Sequence, residues 1–289
     1  MAEWSEGYWW SKDGLRLHYR DYAGGHDGRP PILCIPGLTR NARDFAPVAD
    51  RLAGEWRLIC VDLRGRGDSA YAKDPMTYVP LTYLQDIEAL FEELKLDRFI
   101  AFGTSLGGLL TMLMTATGRQ RIAGALLNDV GPVLEPGGIA RIRTYVGKQA
   151  SWPTWLHAAR GIQQGNFAVY PDYDIEQWLA MAKRLCRLTP AGRITYDYDM
   201  KIAEPFKLPG GETGIDMWPA FEGLSGRPVT LLRGQHSDVL SAATALEMAR
   251  RVDGLDLVTV PGIGHAPVLN EPESIAAIDR LLGEVLAKA

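Results

Sequence analysis

The feature that most constrains this chain is Gly103-Thr104-Ser105-Leu106-Gly107-Gly108, which follows the apolar run 99–102 and precedes the helix-like run 109–114. Strand, sharp turn and helix are thereby compressed into a dozen residues. A serine forced into such a turn has a strained backbone, and its hydroxyl projects clear of the sheet edge. Gly103 and Gly107 omit side chains that would collide there. The helix that follows offers unpaired N–H groups and the positive end of its dipole where a developing anion would sit.

The rest of the chain alternates in period around this turn. Residues 7–11 and 15–22, parted by Lys12-Asp13-Gly14, read as an opening hairpin, because Asp-Gly between alternating runs favours a tight turn. Residues 23–31, with His26, form a polar loop. Residues 32–35 and 58–61 are short, continuously apolar runs, as expected of strands covered on both faces by helices, and 42–52 between them is predicted helical. Residues 81–94 carry Leu84, Ile87, Leu90, Phe91 and Leu94 at helical spacing. With the strand ending at Phe102 and the apolar run 123–127, this is the alternation of an α/β protein with a parallel sheet and right-handed crossovers.

The alternation stops at Val130-Gly131-Pro132 and resumes at Val229. We therefore divide the chain into a core, 1–131 and 226–289, and an inserted cap, 132–225, with helical pieces expected near 139–149 and 175–188. The cap is rich in aromatic residues. Most should form its own small core, and Trp152, Trp155, Trp178 and Trp218 are the candidates for a substrate-facing minority. After it, 244–252 reads as a helix, 257–260 as a strand and 272–287 as a closing amphipathic helix.

A serine hydroxyl is a weak nucleophile at neutral pH, so a base must take its proton and an acid must hold that base in one tautomer. With a serine elbow, acid and histidine should follow in the chain, on loops at the same sheet edge. His265, in Gly262-Ile263-Gly264-His265-Ala266-Pro267, lies just past the last strand and is the expected base. For the acid, Asp238 in the loop after the strand ending at Leu232 is preferred. Asp129, at the end of the apolar run 123–127 and leading into Gly131-Pro132, is the alternative, more readily understood as shaping the cap entrance. An oxyanion site needs two donors. The N–H of Leu106 supplies one, and the loop Pro36-Gly37-Leu38-Thr39-Arg40-Asn41 supplies the other, Gly37 allowing a turn that directs the Leu38 N–H inward. Arg40 and Asn41 beside that loop are candidates for holding a substrate carboxylate.

With these parts in order, the chain resembles the alpha/beta-hydrolase fold family over essentially its full length. The resemblance extends to Val61-Asp62-Leu63-Arg64-Gly65-Arg66-Gly67-Asp68-Ser69, similar to the loop after the fourth strand in family members. It implies an eight-stranded, mostly parallel sheet, a helical cap after the sixth strand, Ser105, Asp238 and His265 as a triad, and no metal or organic cofactor. Many members carry His-Gly where this chain has Pro36-Gly37. Serine at position 105 separates the chain from haloalkane dehalogenases and epoxide hydrolases of this fold, which use aspartate there. What remains is hydrolysis through an acyl-enzyme, with a small carboxylic ester or lactone as the expected substrate. Cleavage of a carbon–carbon bond next to a ketone, or a receptor role without turnover, stays open.

Composition narrows the partners. With 46% hydrophobic and 23% charged residues and a net charge of −4, the chain offers no basic surface for nucleic acid or anionic membrane. No window is long and apolar enough for a membrane span, and the start Met1-Ala2-Glu3-Trp4 does not read as a secretion signal. Three cysteines, two of them in strand-like runs, suit reduced buried thiols. A cytoplasmic protein is expected, monomer or homodimer, with a small molecule as its partner.

Overall fold

The structure, a computed structural model, describes residues 1–25, 27–207 and 216–288. His26 and the cap stretch 208–215 lie outside the described residues. The apolar runs become strands β1 (Ser5–Trp10), β2 (Arg16–Tyr22), β3 (Ile32–Ile35), β4 (Leu58–Asp62), β5 (Phe99–Thr104) and β6 (Ile122–Asn128), joined after the cap by β10 (Val229–Gly234) and β11 (Asp256–Val260). Their order in one eight-stranded sheet is β1-β2-β4-β3-β5-β6-β10-β11. Only the pairings β1 with β2 and β2 with β4 are antiparallel; the other neighbours run parallel.

Strand periodicity explains why the central runs are apolar throughout. Leu33, Ile35, Ile59, Val61, Phe99, Ala101 and Leu127 point to one face, where α2 (Pro80–Leu94) and α3 (Leu106–Gly118) cover them. Ile32, Cys34, Leu58, Cys60, Ile100, Phe102 and Leu126 point to the other, under α1 (Ala46–Leu52) and α9 (Pro272–Ala287). Both faces are therefore sealed from water. The sheet is a rigid platform whose carboxyl edge carries the loops described below. All three cysteines are buried free thiols.

The predicted helix over 42–52 is divided: Ala42–Phe45 is a turn of 3-10 helix, capped by Asn41 through its Oδ1, which accepts from Arg43 N at 3.0 Å, and α1 follows. In the cap, α4 (Pro136–Tyr145) starts and ends earlier than the expected 139–149, and a strand pair β7 (Ser151–Trp152) with β9 (Ile194–Tyr196) is added. Sequence periodicity also missed α5 (Trp155–Asn166), which Thr154 caps. The expected helix 175–188 stops at Leu185 as α6 (Ile175–Leu185), because Cys186–Leu188 (β8) pairs back on β9 around a turn at Gly192. The cap thus combines helices with a three-stranded sheet, β7-β9-β8.

Trp178, Met181, Ile162, Ala158 and Ile194 build a separate core in the cap, which also takes in Val260, Ile263 and Val268 from the end of β11 and the loop after it. The short helix α7 (Trp218–Glu222) lies within the range assigned to the cap, yet it packs on α3: Phe221 is buried in the main core and Thr115 Oγ1 donates to Ala220 O at 2.8 Å. Helix α8 (Ala242–Arg251) then leads to β11. Among the described residues, no helix is long and apolar enough to cross a membrane.

Candidate active site

Ser105 lies between the end of β5 and the first residue of α3, with φ of +51°. A non-glycine residue is held there only when its surroundings insist on it. They do: Ser105 N donates to Asn128 O at 3.0 Å, and Gly108 N and Leu109 N donate to Ser105 O at 2.9 and 3.1 Å. The flanking glycines follow from the crossing of helix and strand. A Cβ on Gly107 would sit 2.0 Å from Ile35 O, and one on Gly103 would sit 2.5 Å from the Gly107 carbonyl.

His265 is at the same edge, after β11. Its Nε2 is 2.9 Å from Ser105 Oγ and its Nδ1 is 2.7 Å from Asp129 Oδ2. The cap holds the loop that carries it, since Tyr170 OH donates to Ala266 O at 2.7 Å and Gly264 N donates to Val169 O at 2.8 Å. The hydrogen bond to Nδ1 fixes which nitrogen faces the serine.

The carboxylate at His265 is therefore that of Asp129, not Asp238. Asp129 is fully buried immediately after β6, with φ of +56°, a conformation that aspartate tolerates better than most residues. Its N–H continues the pairing with β10 by donating to Leu232 O at 2.8 Å, so its side chain is directed under the imidazole. Gly234 N donates to its Oδ1 at 2.8 Å and Ser237 Oγ to its Oδ2 at 2.7 Å. The loop after β10, expected to supply the acid, supports the acid of its neighbour instead. Asp238 faces outward, its side chain 39% exposed, and pairs with Arg141 of α4 through both oxygens. The Arg141 guanidinium holds the Asp238 carboxyl below its ordinary range.

Leu106 opens α3, so its N–H has no acceptor within the helix. Leu38 lines the cavity beside Ser105, and its carbonyl accepts from Nε of the buried Arg66 at 2.9 Å, which fixes the loop's path from below. Arg66 belongs to the loop after β4, and its contact with Leu38 was not legible in the sequence. Asn41 is buried and spent on structure: besides capping the turn at Ala42, its Nδ2 donates to Arg184 O at 3.0 Å. Arg40, by contrast, does line the cavity.

The cavity encloses about 160 Å³, the scale of a small molecule, between Ser105, His265, the loop from Gly37 to Arg40 and the cap. Its aromatic wall corrects the expectation placed on the tryptophans. Tyr145, Tyr170, Tyr196 and Tyr198 line it, with Ile142, Met181 and Leu185. Trp178 is completely buried in the cap core, its indole donating to Tyr173 O. Trp152 stacks edge-on against Tyr196, Trp155 packs on the cap core, and Trp218 lies on Phe221 under Arg251. Size favours the core for indoles, whereas a tyrosine can bury its ring and keep a hydroxyl at a polar cavity. Burial raises the pKa of Tyr170 and Tyr198 to about 12, so both are neutral donors.

A second histidine cluster lies off the cavity. The buried His18 has Nδ1 at 2.7 Å from Asp62 and Nε2 against Glu6. One oxygen of Asp68 comes within 4.8 Å of the His18 and Glu6 ligand atoms, but both ring nitrogens already have carboxylate partners, which fits an imidazolium strut between β1, β2 and β4.

The fold and this edge define the class: a profile of the alpha/beta hydrolase family matches residues 32–278, and the chain belongs to that family. It is a hydrolase. Over 271 residues, 90% of each chain, it is 34% identical to the 3-hydroxybutyrate-oligomer hydrolase of Cupriavidus necator. It is 25% identical over 254 residues, 87% of this chain and 85% of the relative, to the 2-(acetamidomethylene)succinate hydrolase of Mesorhizobium japonicum. Among solved structures, an alpha/beta hydrolase from Novosphingobium aromaticivorans is 60% identical and superposes with a TM-score of 0.94, covering 98% of this chain and 99% of that one.

Proposed function

We propose that the protein hydrolyses a small-molecule carboxylic ester through an acyl-enzyme on Ser105, with His265 as general base and Asp129 as the acid that orients it. The observation that carries this reading is the position of His265, with one nitrogen 2.9 Å from the serine oxygen and the other 2.7 Å from a buried carboxylate. In that arrangement Ser105 Oγ attacks the ester carbonyl carbon as its proton passes to His265 Nε2. The anion formed on the carbonyl oxygen is met by the N–H groups of Leu38 and Leu106. His265 then gives the proton to the departing alkoxide, and the C–O bond breaks. Water, deprotonated by the same nitrogen, then attacks the acyl carbon; the bond to Ser105 Oγ breaks, His265 returns the proton to that oxygen, and the carboxylic acid leaves.

An ester is favoured over a carbon–carbon bond by the relative that acts on 3-hydroxybutyrate oligomers, since oligomers of a hydroxy acid are joined through ester links. The test combines a chromogenic short-chain ester with a fluorophosphonate probe. Wild type should turn over the ester and be labelled, and Ser105→Ala, folded by its melting curve, should do neither. Equal labelling of the variant would move the nucleophile elsewhere, and an unreactive wild type would favour the receptor reading.

A further inference from the structure

Arg40 is the guanidinium on the cavity wall, and it lies on the loop that carries Leu38. It is placed close to the nucleophile: the position a Cβ would take on Gly37 is 3.3 Å from Arg40 Cγ and 3.7 Å from Ser105 Cβ. Its Nε is 2.9 Å from Asp44 Oδ2, and the other oxygen of Asp44 is 3.6 Å from Nε of Arg184, in the cap. One carboxylate, 14% exposed, thus serves two arginines that are themselves 19% and 15% exposed. Arg184 Nε is buried without a hydrogen-bond acceptor. The neighbouring acids are committed elsewhere: Asp129 to His265, Asp238 to Arg141, and Glu271 to Val268 N and Ser274 Oγ.

A guanidinium presents five N–H donors in a planar fork, and a single shared carboxylate does not saturate two of them. Desolvating such a pair is unfavourable unless a further anion completes it. Besides Ser105 and His265, the polar wall holds the uncharged Thr39, Thr104 and Asn166, and the hydroxyls of Tyr145, Tyr170, Tyr196 and Tyr198, which stay neutral because burial raises their pKa values. Among the described residues of that wall the one anionic side chain is Asp44, which the two arginines already occupy.

Resting on the ester-hydrolase reading above, we infer that Arg40, backed by Arg184 across Asp44, is a carboxylate subsite, and that the ester cleaved at Ser105 carries a free carboxylate a few bonds from the scissile carbonyl. A short ester of a hydroxy acid has this form. The carboxylate would take the Nη fork of Arg40, which the Nε pairing with Asp44 leaves over, while the ester carbonyl lies against the N–H groups of Leu38 and Leu106. The same contact would orient the scissile carbonyl for attack as well as select the substrate.

The experiment compares 3-acetoxybutanoate with its neutral amide, 3-acetoxybutanamide, which differ only at the group Arg40 would hold. Wild type should favour the anion in kcat/KM by roughly 10- to 100-fold, the range of a charge-assisted hydrogen bond. Arg40→Gln should bring that ratio close to one, and Arg40→Lys, which keeps the charge and loses the fork, should fall between. A wild-type ratio near one, or an unchanged ratio in a folded Arg40→Gln, overturns the subsite. Calorimetry on Ser105→Ala reads the same preference without turnover: tighter binding of the anion than of the amide supports the subsite, and equal binding refutes it even if Arg40→Gln fails to fold. Failure of the ester-hydrolase reading looks different, because then neither ester is cleaved and wild type resists the fluorophosphonate, whatever the calorimeter shows.

Discussion

Replacing Asp129 by Asn changes one atom in a site where neither orientation of the amide preserves both packing and activity. Asp129 is fully buried and accepts three hydrogen bonds, from Gly234 N at 2.8 Å, Ser237 Oγ at 2.7 Å and His265 Nδ1 at 2.7 Å. If the amide keeps its oxygen toward Gly234, its NH₂ faces His265 Nδ1. The imidazole then carries its proton on Nε2 and cannot take one from Ser105. If the amide turns over, two donors meet at Gly234 in a buried place, at a cost of about 1–3 kcal/mol. The first arrangement is therefore the stable one and the inactive one. In a serine protease, the same exchange of the triad aspartate for asparagine lowers kcat by about 10⁴, or roughly 5 kcal/mol of barrier at 1.36 kcal/mol per decade. A similar loss is expected here, with KM little changed. Asp238→Asn breaks only a part-exposed pair with Arg141, of a kind worth about 0.2–1 kcal/mol, and should leave kcat within a few-fold. Both variants are to be assayed on one ester after their melting curves show them folded. Were Asp238→Asn the more damaging of the two, the assignment of the acid to Asp129 would be refuted.

Two further perturbations test the scaffold. Gly107→Ala places a methyl 2.0 Å from Ile35 O, where the helix can only move away from the sheet; a stability loss of about 1–3 kcal/mol or more in urea, with slower fluorophosphonate labelling of Ser105, is expected, and wild-type values for both would contradict the packing argument. Burial works against a charged His18, but the Asp62 and Glu6 carboxylates outweigh it and raise its pKa above 6.5. The strut's contribution should therefore be complete below about pH 6.5 and be lost as pH rises through the higher native value. Urea unfolding of wild type and His18→Gln should show a gap that narrows as pH rises above about 6.5; a gap that widens instead would reverse the sign and remove the imidazolium.

The fold was legible because it rests on local patterns. Continuous apolar runs such as 32–35 and 99–102 specify strands covered on both faces, and glycines 103 and 107 specify the turn that exposes Ser105. His265 could be found from chain order alone, as the histidine on the loop after the last strand. The acid could not. Asp129 and Asp238 both follow strands at the same edge, and the choice between them depends on where neighbouring loops point. Ser237 and Gly234 hold Asp129 beneath the imidazole, while Arg141, nearly a hundred residues from Asp238 in sequence, draws that carboxylate outward. The cap shows the same division. Its aromatic content announced a small core and an apolar pocket wall, but that Trp152, Trp155 and Trp178 join the core while tyrosines line the cavity follows from how α5, α6 and β9 pack over the sheet edge. Local sequence determines which backbone conformations and faces are favourable. The direction of a side chain on a loop is set by partners distant in the chain, and only the folded arrangement brings those partners together.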